Sequence, residues 1–528
     1  MSNFSHSQKV VKPATVSRGG IVAAQHVRAA EAGAAVLEAG GDAVDAAVAV
    51  SFAMGVLEPW MSGPAGGGAM MVWRADEQRA VPVWYGMRSP AGLDPADYPL
   101  ASDGRSSDLF PWKAVVEDRN VEGATAVAVP GVVDGIGLAH ERWGRMPWRD
   151  LLQPAIAFAR EGLEVDWYAA LIIAGSTRSL ARDPDAAALF LEDGLWPTIA
   201  PWTAVSEMRI PFPRMAETLD ALARGGRREL YEGDVGAALA RDVRDKGGSL
   251  SRTDLEAYRA AFEEPLEIPA GAGRLLAVPG LTAGPTLADT VRRLAAPAAR
   301  RAMSQGDRTA GLAAALGEAY AERLSTMGDN ESPRAPGCTT HFSIVDRHGN
   351  MVAMTQTLLS IFGARVVSPS TGLLLNNGIM WFDPEPGRPN SLAPGKRCLM
   401  NVCPVIGEAG GTRFAIGASG GRKILPAVAQ LALFMLEEGL DLDAAFHAPR
   451  FDFSGGPTVV ADEAMPEEVL RSLRARFPVE TTRRTVYPYA FACPAGVSRT
   501  GETNAGATEI MSPWGDAVAE TTREDDRS

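Results

Sequence analysis

Residues 338–357 read CTTHFSIVDRHGNMVAMTQT. THFSIVD and NMVAMTQT alternate in polarity on either side of a turn at His348-Gly349-Asn350, the pattern of two antiparallel strands. ARVVSPSTGLLLNN (364–377) follows and is expected to continue the sheet. The preceding segment, ESPRAPG, carries two prolines and a glycine and reads as a loop. Two threonines, Thr339 and Thr340, open the first strand. Strand propensity alone accounts for them, because a branched Cβ packs well on a pleated surface. The chemical reading is that Thr339 is a nucleophile, and that the chain cuts itself between Cys338 and Thr339. The pair by itself does not choose between the two.

The 528 residues suit two domains or one large intertwined unit. An apolar share of 46% with 22% charged residues belongs to a globular chain. A net charge of −13 leaves no basic stripe for nucleic acid. Four cysteines (Cys338, Cys398, Cys403, Cys493), none in a C-x-x-C pair, supply neither a disulfide framework nor a structural zinc site. The start, MSNFSHSQKVVKPATVS, has no apolar leader core, so a cytoplasmic protein is expected, or a periplasmic one if a leader preceded it. The apolar stretch 46–57 is too short for a membrane span and is bracketed by Asp45 and Glu58, so it reads as a buried helix.

EAGAAVLEAGG (31–41) reads as a helix stopped at Gly40-Gly41, where glycine supplies a left-handed cap. DAVDAAVAVSFAMGVLEP (42–59) restarts behind Asp42 as N-cap and ends before Pro59. The loop SGPAGGGA (62–69) follows this helix and feeds a strand, AMMVW. A phosphate cradle has the opposite order, so the loop is read as close backbone packing. Residues 131–330 read as mostly helical, with Ser251 and Asp254 forming a capping pattern. The final TTREDDRS reads as a frayed tail.

At this scale the chain resembles the γ-glutamyltransferase family of self-cleaving N-terminal-nucleophile hydrolases. The resemblance rests on blocks in the family's order: 19–59 with SGPAGGGAMMVW (62–73), AVPGVVDGIGLAHERWGRMPWRDLLQPAIAFAREGLEV (128–165), YEGDVGAALARDVRDKGGSLSRTDLEAY (231–258), TTHFSIVDRHGNMVAMTQT (339–357), LLLNN (373–377), APGKR (393–397) and GASGGRKI (417–424). It implies an α/β (α+β) fold, an αββα sandwich of two stacked antiparallel sheets flanked by helices. It also implies a large chain, 1–338, and a small chain, 339–528, intertwined after cleavage and paired as a heterodimer, which can pair again. A small-molecule amide is the implied substrate, with no cofactor, metal, nucleic acid or membrane partner.

In the implied mechanism Thr339 attacks the Cys338 carbonyl, water opens the resulting ester, and the freed α-amine then serves as the base for its own hydroxyl. An α-amine titrates near neutrality, so no histidine is needed. Only six histidines occur, none in a G-x-S-x-G context. By resemblance Gly420 and Gly421 supply oxyanion N–H groups, Thr357 hydrogen-bonds the nucleophile, and Asn376 and Asn377 support the surrounding loop. Read bottom-up, the same glycines form a strand-to-helix turn, and Thr357 is a strand threonine on the face of Thr355.

The departures from the family fall on its glutamate clamp. Gly86 stands where the family's carboxylate-pairing arginine is expected, with Arg88 two places on. Leu359 replaces the asparagine of a T-L-N run. Gly378 and Trp381 replace the glutamine and aspartate that hold the α-amine, and Met400 and Asn401 replace a serine pair. The lid between Asn390 and Pro394 is short. The expectation is therefore a threonine amidase acting on a non-standard acyl amide, glutaryl-, oxamyl- or similar, with Arg88 or Arg365 open to pair a distal carboxylate. The alternatives are a conventional γ-glutamyl hydrolase or transpeptidase and, from another class, an inactive binding member.

Overall fold

In the computed structural model, residues 10–105, 112–199, 208–328, 338–486 and 489–521 are described. The loop ESPRAPG and all but the first residue of the expected frayed tail lie outside them. The hairpin forms as its alternation predicts: Cys338–Val345 pairs antiparallel with Met351–Leu359, Thr340 opposite Gln356 and Val345 opposite Met351. Asp346 Oδ1 accepts from the backbone N–H groups of His348 and Asn350 (both 2.9 Å) and so shapes the turn, where Gly349 takes a φ of 85°. The register shifts between Cys338 and Thr340, so Thr339 sits at a break in the ladder.

The hairpin lies inside a seven-stranded sheet ordered Ala261–Phe262, Arg79–Tyr85, Gly67–Arg74, Met351–Leu359, Cys338–Val345, Ile21–Ala24 and Asp516–Ala519. A second seven-stranded sheet runs Thr15–Ser17, Thr503–Thr508, Cys493–Thr500, Thr412–Ser419, Val405–Ala409, Gly273–Ala277 and Leu266–Ala270. Neighbours in both sheets pair antiparallel. The stretches before and after residue 338 both contribute strands to each sheet. This is an αββα sandwich of two stacked antiparallel sheets flanked by helices.

Alternation sorts the strand residues into three apolar layers. Val22, Val72, Val83, Ile344, Val352 and Met354 face the helices that include Val27–Glu38 and Ala43–Leu57. Met71, Trp73, Ala353, Ile406, Ala415 and Val497 fill the space between the sheets. Leu275, Val405, Phe414 and Ile416 face the helices Gln305–Thr326 and Ile424–Leu436. With a sheet on one side and helices on the other, every residue of Met351–Leu359 is buried.

The caps stand where they were read. Asp42 accepts from Val44 N and Asp45 N in a capping box, Gly40 has a φ of 96°, and Ser251 and Asp254 form a second box. The helix Ala43–Leu57 is buried along its whole length, and no helix among the described residues is long and apolar enough to cross a membrane. The glycine-rich loop is close packing: a Cβ on Gly66 or Gly68 would collide with the carbonyl oxygens of Thr357 or Thr355.

Two expectations change. ARVVSPSTGLLLNN contributes no strand to the sheets; it folds back on itself through one bridge, Val367 with Leu374, its polar SPST tip leaving nothing to cover a sheet face. The span 131–330, read as mostly helical, also carries Leu266–Ala270 and Gly273–Ala277, a hairpin whose five-residue strands are too short to stand out by alternation.

Between the two sheets Gly417 faces the ring of His341, against which a Cβ would collide. Gly417→Ala should therefore destabilise the protein by about 1–3 kcal/mol in urea unfolding, and the loss should shrink when His341→Ala makes room.

Candidate functional site

Thr339 is fully buried, and its Oγ1 has no hydrogen-bond partner among the described residues. Its neighbours are different. Thr340 Oγ1 donates to Gln25 Oε1 (3.0 Å), and Gln25 Nε2 donates to Ser419 Oγ (2.6 Å) and to the Cys493 carbonyl (2.8 Å). Gln25 follows the strand Ile21–Ala24, which pairs with Cys338–Val345, so the ladder delivers it beside the threonines. One amide thus ties the start of the strand Cys338–Val345 in one sheet to Ser419, at the end of Thr412–Ser419 in the other.

Ser419 leads into the turn that carries the two glycines. Gly420 has φ 130° and Gly421 φ 63°, backbone that side-chained residues rarely adopt, and a Cβ on Gly420 would stand 3.0 Å from Ala492 Cα. The turn opens the helix Ile424–Leu436, whose N-terminal N–H groups and dipole favour developing negative charge. The strand Cys338–Val345 packs against this turn. Lys423 steadies the far side by donating to Ala490 O (2.7 Å) and Tyr489 O (3.3 Å).

His341 is the ionisable ring of this strand. Its Nδ1 meets Thr355 Oγ1 (2.8 Å), its Nε2 meets Ser343 Oγ (3.0 Å), and burial lowers its pKa to about 3. It stays neutral at physiological pH, so it ties polar groups between the sheets and does not act as a titrating base. Thr357 Oγ1 accepts from Leu359 N (2.7 Å), which holds Leu359 at a φ of 89°. Left-handed backbone at a non-glycine residue is strained by about 1–2 kcal/mol.

The clamp positions form an apolar wall. Leu359, Trp381 and Met400 are completely buried and join Met87, Ile379 and Met380 in the layer between the sheets. Gly378 lies under Met87, whose Sδ would stand 3.0 Å from an added Cβ, and Gly86 lies under Met400 Cε at 2.7 Å. Asn376 holds this wall in place: Nδ2 donates to Ala65 O and Ala128 O (both 2.8 Å), and Oδ1 accepts from Ala128 N (3.0 Å) and Gly378 N (2.9 Å). Asn377 does the same for Ser360 and Val121. Arg88 is half-buried with its guanidinium 5.9 Å from the Trp84 ring, while Arg365 turns to Val121 O (3.1 Å) and Glu122 (3.9 Å).

Sequence reasoning missed Gln25 and Arg323. Arg323 is 1% exposed and meets no carboxylate among the described residues; it donates to Thr282 O and Thr286 Oγ1 (both 2.8 Å), Met400 O (2.9 Å) and Asn401 Oδ1 (3.4 Å). Burial lowers its pKa to about 10, so it remains a cation at neutral pH beside Met400-Asn401. Asn401 Nδ2 is buried there without a partner among the described residues. Neither residue carries a local sequence signal, since their partners lie far away in the chain. Among the described residues no cluster of histidine, cysteine and acidic side chains could hold a metal ion.

Comparison with known proteins follows this geometry. The family described as Gamma-glutamyltranspeptidase matches residues 29–338 and 331–513. The chain is 35% identical over 505 residues to the acylase ACY 1 proenzyme of Pseudomonas sp. (strain V22), covering 88% of each. It is 29% identical over 517 residues to the glutathione hydrolase proenzyme of Bacillus subtilis (strain 168), covering 88% of this chain and 85% of that one. In fold it is similar to the cephalosporin acylase from Bacillus halodurans, with a TM-score of 0.83 at 21% identity over 99% of both chains.

The strain at Leu359 can be isolated. Leu359→Ala and Leu359→Gly should each cost about 2–5 kcal/mol by emptying a buried site. Glycine is normally worse than alanine by about 0.5–1 kcal/mol. At this backbone angle the glycine variant should unfold at equal or higher urea than the alanine variant.

Proposed function

Because this chain belongs to the γ-glutamyltranspeptidase family, whose relatives include acylases and glutathione hydrolases, we propose that it is a self-processing amide hydrolase with Thr339 as its nucleophile. The observation that carries the proposal is the Thr339 hydroxyl: fully buried, unpartnered, and set at a break in the ladder next to the glycine turn. A buried hydroxyl without a partner costs about 1–3 kcal/mol, whereas the side chains that follow it in the strand, Thr340 and His341, are both paired.

In the continuous chain the Thr339 nitrogen is still an amide. Attack of Oγ1 on the Cys338 carbonyl moves the acyl group from nitrogen to oxygen. Water then hydrolyses the ester, leaving a Cys338 carboxylate and a free Thr339 amine. The products are the chains 1–338 and 339–528, held together as a heterodimer by the sheets they share. The amine then takes the hydroxyl proton as Oγ1 attacks a substrate amide, and the leaving amine departs protonated. Gly420 and Gly421 N–H groups stabilise the oxyanion, and a second water releases the acyl group as an acid. Thr357, whose Oγ1 accepts from Leu359 N and does not meet Thr339 Oγ1 in the uncut chain, is to hydrogen-bond the nucleophile once cleavage frees the strand start.

The acyl group is one without an α-amine. Leu359, Gly378, Trp381 and Met400 form an apolar surface where an ammonium would need acceptors, and burying it unpaired costs several kcal/mol. The Arg323 cation behind Met400-Asn401 adds to that discrimination, since its field opposes a second cation and favours a carboxylate.

Two measurements test this reading. Purified protein should run as fragments of about 35 and about 20 kDa. Thr339→Ala should stay full length, and Thr339→Ser should cut slowly; a native chain still intact after long incubation overturns the nucleophile and favours an inactive binding member. For the substrate, glutaryl and oxamyl amides should exceed the matching γ-glutamyl amide by at least about tenfold in kcat/KM, which corresponds to about 1.4 kcal/mol. A win for the γ-glutamyl compound, with transfer to glycylglycine, makes the protein a conventional transpeptidase.

A further inference from the structure

A cavity of about 190 Å³ adjoins the Gln25 network and has no part in the chemistry above. Aromatic rings line it. Trp60 meets Tyr168 edge-on with centroids 6.0 Å apart, and Tyr168 stacks on Trp514 at 4.0 Å. Three acidic residues, Glu58, Glu164 and Asp166, also line it, and Glu164 is exposed to solvent. Asp166 is occupied: it caps the helix Trp167–Leu180 by accepting from Tyr168 N (3.0 Å) and Ala169 N (2.8 Å), and it also accepts from Trp514 Nε1. Glu58 is not. It is 6% exposed, and its Oε2 has no hydrogen-bond partner among the described residues.

A buried carboxyl oxygen left unsatisfied costs about 1–3 kcal/mol, and nothing in the packing of the helix end at Leu57 requires an acid there. The neighbouring cations do not answer it. Arg28 turns away to Glu161 and lies 4.5 Å over the Phe158 ring. His26, with Nδ1 accepting from Arg28 N and its pKa lowered to about 4 by burial, is neutral. Lys12, which with Glu58 acts on Cys493, is taken by the carbonyls of Glu509, Ser512 and Gly515, and the other groups near Glu58, Asp166, Glu164, Tyr168, Tyr489 and Cys493, are not cations. Aromatic faces around an unpaired acid are the surroundings that attract a desolvated organic cation.

We propose that this cavity binds an organic ammonium, an alkyl- or arylalkylamine in its protonated form, seated between Trp60, Tyr168 and Trp514 with its N–H groups on Glu58. The volume suits it, since an apolar cavity of about 150 Å³ already holds benzene. His26 lines the cavity and follows Gln25, so the bound cation would belong to the amine half of the substrate. That assignment rests on the amidase reading; the binding itself does not.

Burial first, and the Asp166 charge second, raise the Glu58 pKa to about 8. The carboxyl of the empty cavity is therefore protonated at neutral pH, and an ammonium binds only as that proton leaves. Affinity must rise with pH up to about 8 and level off above it.

Calorimetry on the full-length protein, comparing benzylammonium with its neutral counterpart benzyl alcohol, tests this without any turnover. From about pH 6 to about pH 8.5, benzylammonium should bind at least about tenfold more tightly at the upper end, and near pH 6 it should release close to one proton to the buffer. Benzyl alcohol should show neither effect. Glu58→Gln should weaken benzylammonium at least about tenfold and flatten its pH dependence. The proposal is overturned if wild-type protein binds benzylammonium no better than benzyl alcohol, without pH dependence, or not at all. These wild-type readings stand even if the variant misfolds, and loss of the amidase reading would leave them unchanged.

Discussion

Residues Thr339–Val345 and their partner strand Met351–Leu359 are closed to water on both faces, and that closure governs the polar groups around them. Inside a low-dielectric layer each hydroxyl, amide or ring nitrogen needs an internal partner. The pairing supplies them in two seams. On the helical side, Thr340 and Gln356 stand opposite each other; Thr340 reaches Gln25, and Gln356 donates to Ser51 O (3.1 Å) and Ser62 Oγ (3.0 Å). Between the sheets, His341 bridges Thr355 and Ser343. Thr339, where the register breaks, is the hydroxyl this arrangement leaves over.

The same closure explains the glycines. A hairpin sandwiched between a sheet and a helical layer leaves little room, so residues that cross over or under it lose their side chains. Gly66 and Gly68 pass against the carbonyls of Thr357 and Thr355, and Gly417 passes under His341. At Gly420 and Gly421 the demand is conformational, because both hold left-handed backbone as the chain turns from a strand of one sheet into a helix. A sequence block such as SGPAGGGA therefore reports proximity to the hairpin strands, which is why its order relative to strand and helix excludes a phosphate cradle.

What could be read from the sequence was what is local. The hairpin, its turn at His348-Gly349-Asn350, the Asp42 cap, the Ser251 box and the buried helix Ala43–Leu57 each follow from residues within a few positions of one another. The family blocks extended that reading to the whole fold. ARVVSPSTGLLLNN misled because apolar pairs at both ends resemble strands, whereas Asp242, far off in sequence, takes the Ser368 and Ser370 hydroxyls and keeps the tip folded back. Gln25, Arg323 and Glu58 were illegible for the same reason. Each is an ordinary residue until the fold surrounds it, and their partners lie dozens to hundreds of positions away.

Arg323 and Glu58 also show opposite answers to burying charge. The guanidinium keeps its charge because four acceptors surround it, two of them backbone carbonyl oxygens, and its lowered pKa of about 10 still leaves it protonated at neutral pH. Glu58 Oε2 has no such donor among the described residues, so its least costly state is the neutral acid, and its pKa rises to about 8. The first is a fixed positive charge that a ligand meets as a field, behind the apolar wall of Leu359, Trp381 and Met400. The second is a charge that appears only when a cation arrives to pair with it. A fixed cation at Met400-Asn401 and a latent anion in the cavity lined by His26 thus place opposite electrostatic demands on two parts of the molecule.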